Sequence, residues 1–85
     1  MTKKHFEAMA KDVEYRALVI FNGEETYQEK WFALATLHAF VYDLAETFNG
    51  FNENFDMSRF IQATNIRKYK LELEREQATK IASGI

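Results

Sequence analysis

Trp31-Phe32-Ala33-Leu34-Ala35-Thr36-Leu37-His38-Ala39-Phe40-Val41-Tyr42-Asp43-Leu44-Ala45-Glu46-Thr47-Phe48 is an apolar-striped run that stops at Asn49-Gly50, and Phe51-Asn52-Glu53-Asn54-Phe55-Asp56-Met57-Ser58-Arg59-Phe60 follows it. Tyr27, Leu34, Leu37, Val41, Leu44 and Phe48 recur at steps that sum to heptads, and Trp31, Phe40 and Ala45 widen that stripe on both sides. The pattern predicts a long central helix. Asn49-Gly50 supplies a helix stop, because Asn and Gly tolerate the left-handed conformation in which helices often end. Phe51 and Phe55 then read as loop side chains tucked back over the helices. Asp56 or Ser58 is placed to cap a short third helix carrying Phe60, Ile61 and Ala63 toward the same core.

Upstream, Phe6, Met9, Ala10, Val13, Ala17, Ile20 and Phe21 recur at three- and four-residue steps, while Lys11, Asp12, Glu14 and Arg16 lie mostly off that stripe. This predicts a first amphipathic helix, capped by Thr2 and ended in a left-handed turn at Asn22-Gly23. Thr26 and Glu29 have capping-box spacing at the start of the central helix, and Glu24 and Glu25 sit favourably against its dipole. A connection this short makes the two helices antiparallel neighbours.

Downstream, Thr64-Asn65 breaks the third helix. Ile66-Arg67-Lys68-Tyr69-Lys70-Leu71-Glu72-Leu73-Glu74-Arg75-Glu76-Gln77 is rich in strong helix formers and predicts a last helix to about Ala82. Its apolar stripe of Ile66, Tyr69, Leu73 and Ile81 is thin, so it projects, frays or pairs with a second chain. Ser83-Gly84-Ile85 reads as a disordered tail. The expected fold is all-α, a small bundle of three to four helices. Residues 1–65 form the helical core, and residues 66–85 the charged C-terminal helix and tail of the same domain.

With 85 residues the chain buries only about 60 to 65% of its unfolded surface, so its core is small. No cysteine is present, which removes disulfides, thiolate metal sites and thiol catalysis. Eight Phe, four Tyr and one Trp offset this in part, since each covers a large area. A formal net charge of −2 disfavours nucleic acid as the main partner, because Lys3-Lys4 and Arg67-Lys68 with Lys70 are offset by Glu7, Glu72 and Glu74. Charged residues or His38 interrupt every apolar run that could cross a bilayer. The start lacks the apolar segment of a secretory signal, so a cytoplasmic, non-membrane protein is expected.

No residue pattern supplies reaction chemistry. His38 lies among Leu34, Leu37, Val41 and Tyr42, with Asp43 and Glu46 mostly on other faces, and neither a Glu-x-x-His nor a His-Glu-x-x-His metal pattern is present. It reads as a boundary histidine with one hydrogen bond, and His5 as solvated. The acidic pairs Glu24-Glu25, Glu72-Glu74 and Glu74-Glu76 read as solvated faces. The three glycines stand alone, so no loop cradles a phosphate. The sequence predicts no enzyme and no cofactor. Tyr15, Trp31, Tyr42 and Tyr69 lie off or at the edges of the stripes and are the candidate partner contacts, although the bulk of Trp31 favours the core.

Phe6-Glu7-Ala8-Met9-Ala10, the Leu34–Leu44 helix, and Asn54-Phe55-Asp56-Met57-Ser58-Arg59-Phe60-Ile61-Gln62-Ala63 resemble a class of short uncharacterised phage and prophage proteins. Those begin with a Phe-x-x-x-Ala helix and end near Asn-x-x-Phe-Asp-x-x-Arg-Phe-x-x-Ala, usually closing with Cys-Gly where Thr64-Asn65 stands here. The resemblance covers three short pieces of residues 6–63 and leaves the role of the C-terminal helix open. It implies a mobile-element accessory protein made in a bacterial cytoplasm, and it brings no catalytic residues and no established partner. The lack of a reaction site and the surplus of aromatic residues lead to the expectation that the protein acts by binding a host or phage protein. A homo-oligomer assembled through the C-terminal helix is the alternative, and a nucleic-acid accessory protein using Lys68 and Lys70 the second.

Overall fold

The computed structural model describes residues 3–83, which fold into four helices: α1 (Lys3–Phe21), α2 (Tyr27–Phe51), α3 (Met57–Ala63) and α4 (Ile66–Ser83). The expected cap at Thr2 and the Gly84-Ile85 part of the expected disordered tail lie outside the described residues, whereas Ser83, the first residue of that tail, is the last residue of α4. α1 and α2 form an antiparallel pair, and α3 followed by α4 runs back along that pair as a third rod. The result is a small all-α bundle measuring 52 × 17 × 15 Å.

Local chemistry sets most of the boundaries. The Glu29 backbone N–H donates to Thr26 Oγ1 at 3.2 Å, and the Thr26 N–H donates to Glu29 Oε1 at 3.4 Å, a complete capping box at the start of α2. Asp56 rather than Ser58 caps α3, its Oδ1 accepting from the Arg59 N–H at 3.0 Å. Lys30 Nζ donates to the Phe21 carbonyl at 2.9 Å, which satisfies an end of α1 that lacks an intrahelical partner.

The glycine stops do not behave as the sequence suggests. Neither Asn22 nor Gly23 has a positive φ, and α2 continues through Asn49 and Gly50 to Phe51, where Asn52 ends it by donating to the Phe48 carbonyl at 2.9 Å. A glycine inside a helix costs only about 1 kcal/mol relative to alanine, which packing of the preceding turn can outweigh. That turn carries Phe48, whose ring meets Phe6, Phe55 and Phe60 at centroid distances of 5.1, 5.5 and 5.7 Å. Asn52 then forms the loop, its Oδ1 accepting from the Asn54 N–H at 3.0 Å and its carbonyl from the Phe55 N–H at 3.0 Å. Phe55 is anchored as expected, but Phe51 points to solvent at 89% exposure because the longer helix carries it past the core.

The joint between α3 and α4 has its own polar network. Thr64 is fully buried, yet its hydroxyl donates to the Ile61 carbonyl at 2.6 Å and accepts from the Ile66 N–H at 3.4 Å. Asn65 takes the left-handed conformation at φ 56°, and its Nδ2 donates to the Glu14 carboxylate of α1.

Two apolar clusters stack along the bundle. Ala10 and Val13 of α1, Val41 and Ala45 of α2, and Phe60 and Ile61 of α3 form the first, closed by the phenylalanine group. Ala17, Leu34, Ile66 and Leu73 form the second, flanked by Ile20, Phe21, Tyr27 and Tyr69, and Leu37 packs against both. Ile66 and Leu73 of α4 are thus core residues, so the first half of this helix neither projects nor waits for a second chain. Ile81, at the far end of the same stripe, is 60% exposed. Phe40 also leaves its expected place: only Val41, one residue on and 100° around the helix, is buried, and Phe40 faces out.

Candidate functional site

Trp31, Ala35, His38 and Tyr42 are spaced four, three and four residues apart, so they form one line along α2. That line faces the flank of α4. Trp31 Nε1 donates to Glu74 Oε1 at 3.2 Å, and Lys70 Nζ stands 5.6 Å from the Trp31 ring centroid. The His38 and Tyr42 rings lie 5.0 Å apart. Trp31 is 38% exposed and is therefore a boundary residue, with its indole held by Glu74 and Lys70, and not the core residue its bulk suggests. Tyr42 is exposed to a similar degree.

His38 sits behind this edge. Lys70 Nζ approaches its Nδ1 at 3.4 Å, so the lysine donates and the neutral ring accepts there. The ring proton then resides on Nε2, which is buried and has no hydrogen-bond partner in the structure. Burial holds the imidazole below its usual pKa of 6.5, and the positive charges of Lys70 and Arg67 push it further in the same direction. The edge therefore combines two partly exposed aromatic rings, a neutral histidine and a lysine ammonium on two packed helices. Partly exposed aromatic rings beside a cationic group are the kind of surface that protein interfaces use.

The other two sequence candidates are elsewhere. Tyr15 is exposed on α1, and its position two residues from both Val13 and Ala17 puts it on the side opposite the buried stripe. Tyr69 is half-buried and packs on Phe21 at 5.7 Å between centroids, on the α1 side of α4. Sequence reading missed Phe32, Phe40 and Phe51 as exposed aromatics. A detectable signal existed for the first two, since the α2 segment around them lacks charge on every face.

A groove of about 480 Å³ opens between the first turns of α1 and the 52–56 loop, floored by Phe6, Phe55 and Phe60 and rimmed by Lys3, Glu7 and Arg59. Its floor is the first core cluster, and its rim mixes charges of both signs. Among the described residues no group of three or more His, Asp or Glu side chains is placed to hold a metal ion, and no helix is long and apolar enough to cross a membrane. No family model matches this chain, and neither does a curated protein or a solved structure.

Proposed function

We propose that this protein is a non-enzymatic binding module that engages another protein through the edge between α2 and α4. The observation that carries the reading is the pairing of Trp31 and Tyr42, partly exposed in one line and fixed from behind by Glu74, Lys70 and His38. Preordered aromatic side chains lose little conformational entropy on binding and supply most of the energy at protein interfaces. The resemblance of residues 6–63 to short phage and prophage proteins supports a mobile-element accessory role in a bacterial cytoplasm, with a host or defence protein as the partner. Binding of that kind needs no reaction centre.

The test is capture of host protein by the immobilised full chain, compared with Trp31→Ala/Tyr42→Ala and with Tyr15→Ala. Loss in the first variant with retention in the second supports the edge. Equal capture by all three proteins rejects it.

A further inference from the structure

Between Lys30 and Asp43, α2 carries no Asp, Glu, Lys or Arg on any face. The outward sides of the other long helices are charged, with Lys11, Asp12 and Arg16 exposed on α1 and Arg67, Lys68 and Arg75 on α4. Over the same span the outward side of α2 presents Phe32, Thr36, Ala39 and Phe40, with the two phenylalanines 70% and 54% exposed. A helix that is apolar all round is ordinarily covered all round. The face also holds no polar group that needs water, because the Thr36 hydroxyl already donates to the Phe32 carbonyl at 2.9 Å. Covering it leaves no donor orphaned.

The chain as a whole exposes more surface than a compact monomer of its mass. The chain exposes 6315 Å², whereas a monomeric protein of 10.0 kDa ordinarily exposes about 5,200 Å². Its radius of gyration is 14.8 Å, against about 12 Å for a compact chain of this length. The excess of roughly 1,100 Å² is spread over the whole elongated chain, and packing the α2 face against a second copy removes part of it.

We propose that the outer face of α2 packs against the same face of a second copy of this chain. A two-fold axis through Thr36 makes the contact self-complementary, since Phe32 and Phe40 each lie four residues from it. Phe32 of each copy then meets Phe40 of the other, and Thr36 and Ala39 let the helices approach closely. Glu29 and Asp43 each lie seven residues from Thr36, so like charges also meet across the axis. Screening relieves that repulsion, and the dimer tightens as salt rises. The Trp31 and Tyr42 edge lies on a different side of α2 and remains open, so the pairing goes beyond the binding function proposed above and does not depend on it.

The experiment uses the full chain. Light scattering coupled to gel filtration over a wide dilution series gives twice the chain mass at high concentration for wild type, and the chain mass for Phe32→Glu/Phe40→Glu with unchanged helicity. Because the chain has no cysteine, Thr36→Cys provides a second readout: mild oxidation links it to its equivalent in the second copy, whereas Arg75→Cys stays unlinked. A wild-type chain that is monomeric throughout overturns the pairing and leaves the face to a foreign protein. Equal linking of both cysteine variants, or a dimer that survives Phe32→Glu/Phe40→Glu, also overturns it.

Discussion

Replacing Ile66 with alanine removes three carbons from a side chain with no exposed surface, packed among Ala17, Leu34 and Leu73. Ile→Ala at such a site costs about 2 to 5 kcal/mol, and the neighbours here belong to three separate helices that cannot all collapse into the gap. A loss near 3 kcal/mol is expected. That is a large share of the ~4 to 13 kcal/mol available to a chain of this size, and it lowers the melting temperature by roughly 12 to 24 °C. Ile81→Ala makes the same chemical change on the same helix at a largely exposed position, where the cost stays within about 0.5 kcal/mol. Urea unfolding followed by far-ultraviolet circular dichroism and by fluorescence of Trp31, the sole tryptophan, measures both variants. Protein concentration must be matched, since association of the folded state adds to apparent stability. Similar small losses for the two variants would show that α4 is not part of the core, and would refute the packing of Ile66 between α1 and α2.

Asn65→Ala loses the bond to Glu14 and places a Cβ-bearing residue without a compensating side-chain bond at a positive φ, for a cost of about 2 to 3 kcal/mol. Asn65→Gly relieves the backbone and recovers only part of that, so equal stability of wild type and Asn65→Gly in thermal melts would count against the Glu14 contact. His38 binds its proton more weakly when folded than when unfolded, so stability falls as pH drops below 6.5. As the pH falls below 6.5, wild type loses more stability than His38→Gln, and parallel melting curves for the two would contradict the burial and the neighbouring positive charges assigned to His38. Phe48→Ala opens the phenylalanine group and costs about 3 to 5 kcal/mol, whereas Phe51→Ala changes stability by less than about 0.5 kcal/mol. Comparable midpoints for these two in urea would overturn the helical path through Gly50.

Helix starts were legible because the relevant chemistry is local. Thr26 with Glu29, and Asp56 with the Arg59 N–H, use side chains within one turn of the groups they satisfy. Asn65 as a break was legible for a related reason, as asparagine is among the few residues that enter the left-handed region readily. Gly50 was misleading because the end of α2 depends on rings from α1, α3 and the following loop, none of which is near it in the helical register. The stripe of Ile66 and Leu73 was visible, but its destination depended on a slot left between Ala17 and Leu34 on two other helices. Trp31 was ambiguous because its bulk suits a core and its indole N–H suits a boundary, and Glu74, 43 residues away, decides between them. The Trp31 and Tyr42 edge was half legible: the spacing of Trp31, His38 and Tyr42 is in the sequence, whereas Lys70 and Glu74 beside them come from the antiparallel packing of α4.

Small-angle X-ray scattering of the full chain, extrapolated to a range of concentrations, tests most directly whether the charge-free side of α2 is a covered surface. A forward-scattering mass of twice 10.0 kDa that rises with salt and falls to one chain in Phe32→Glu/Phe40→Glu is the expected result. A mass of 10.0 kDa at every concentration, with a radius of gyration near 14.8 Å, would contradict it.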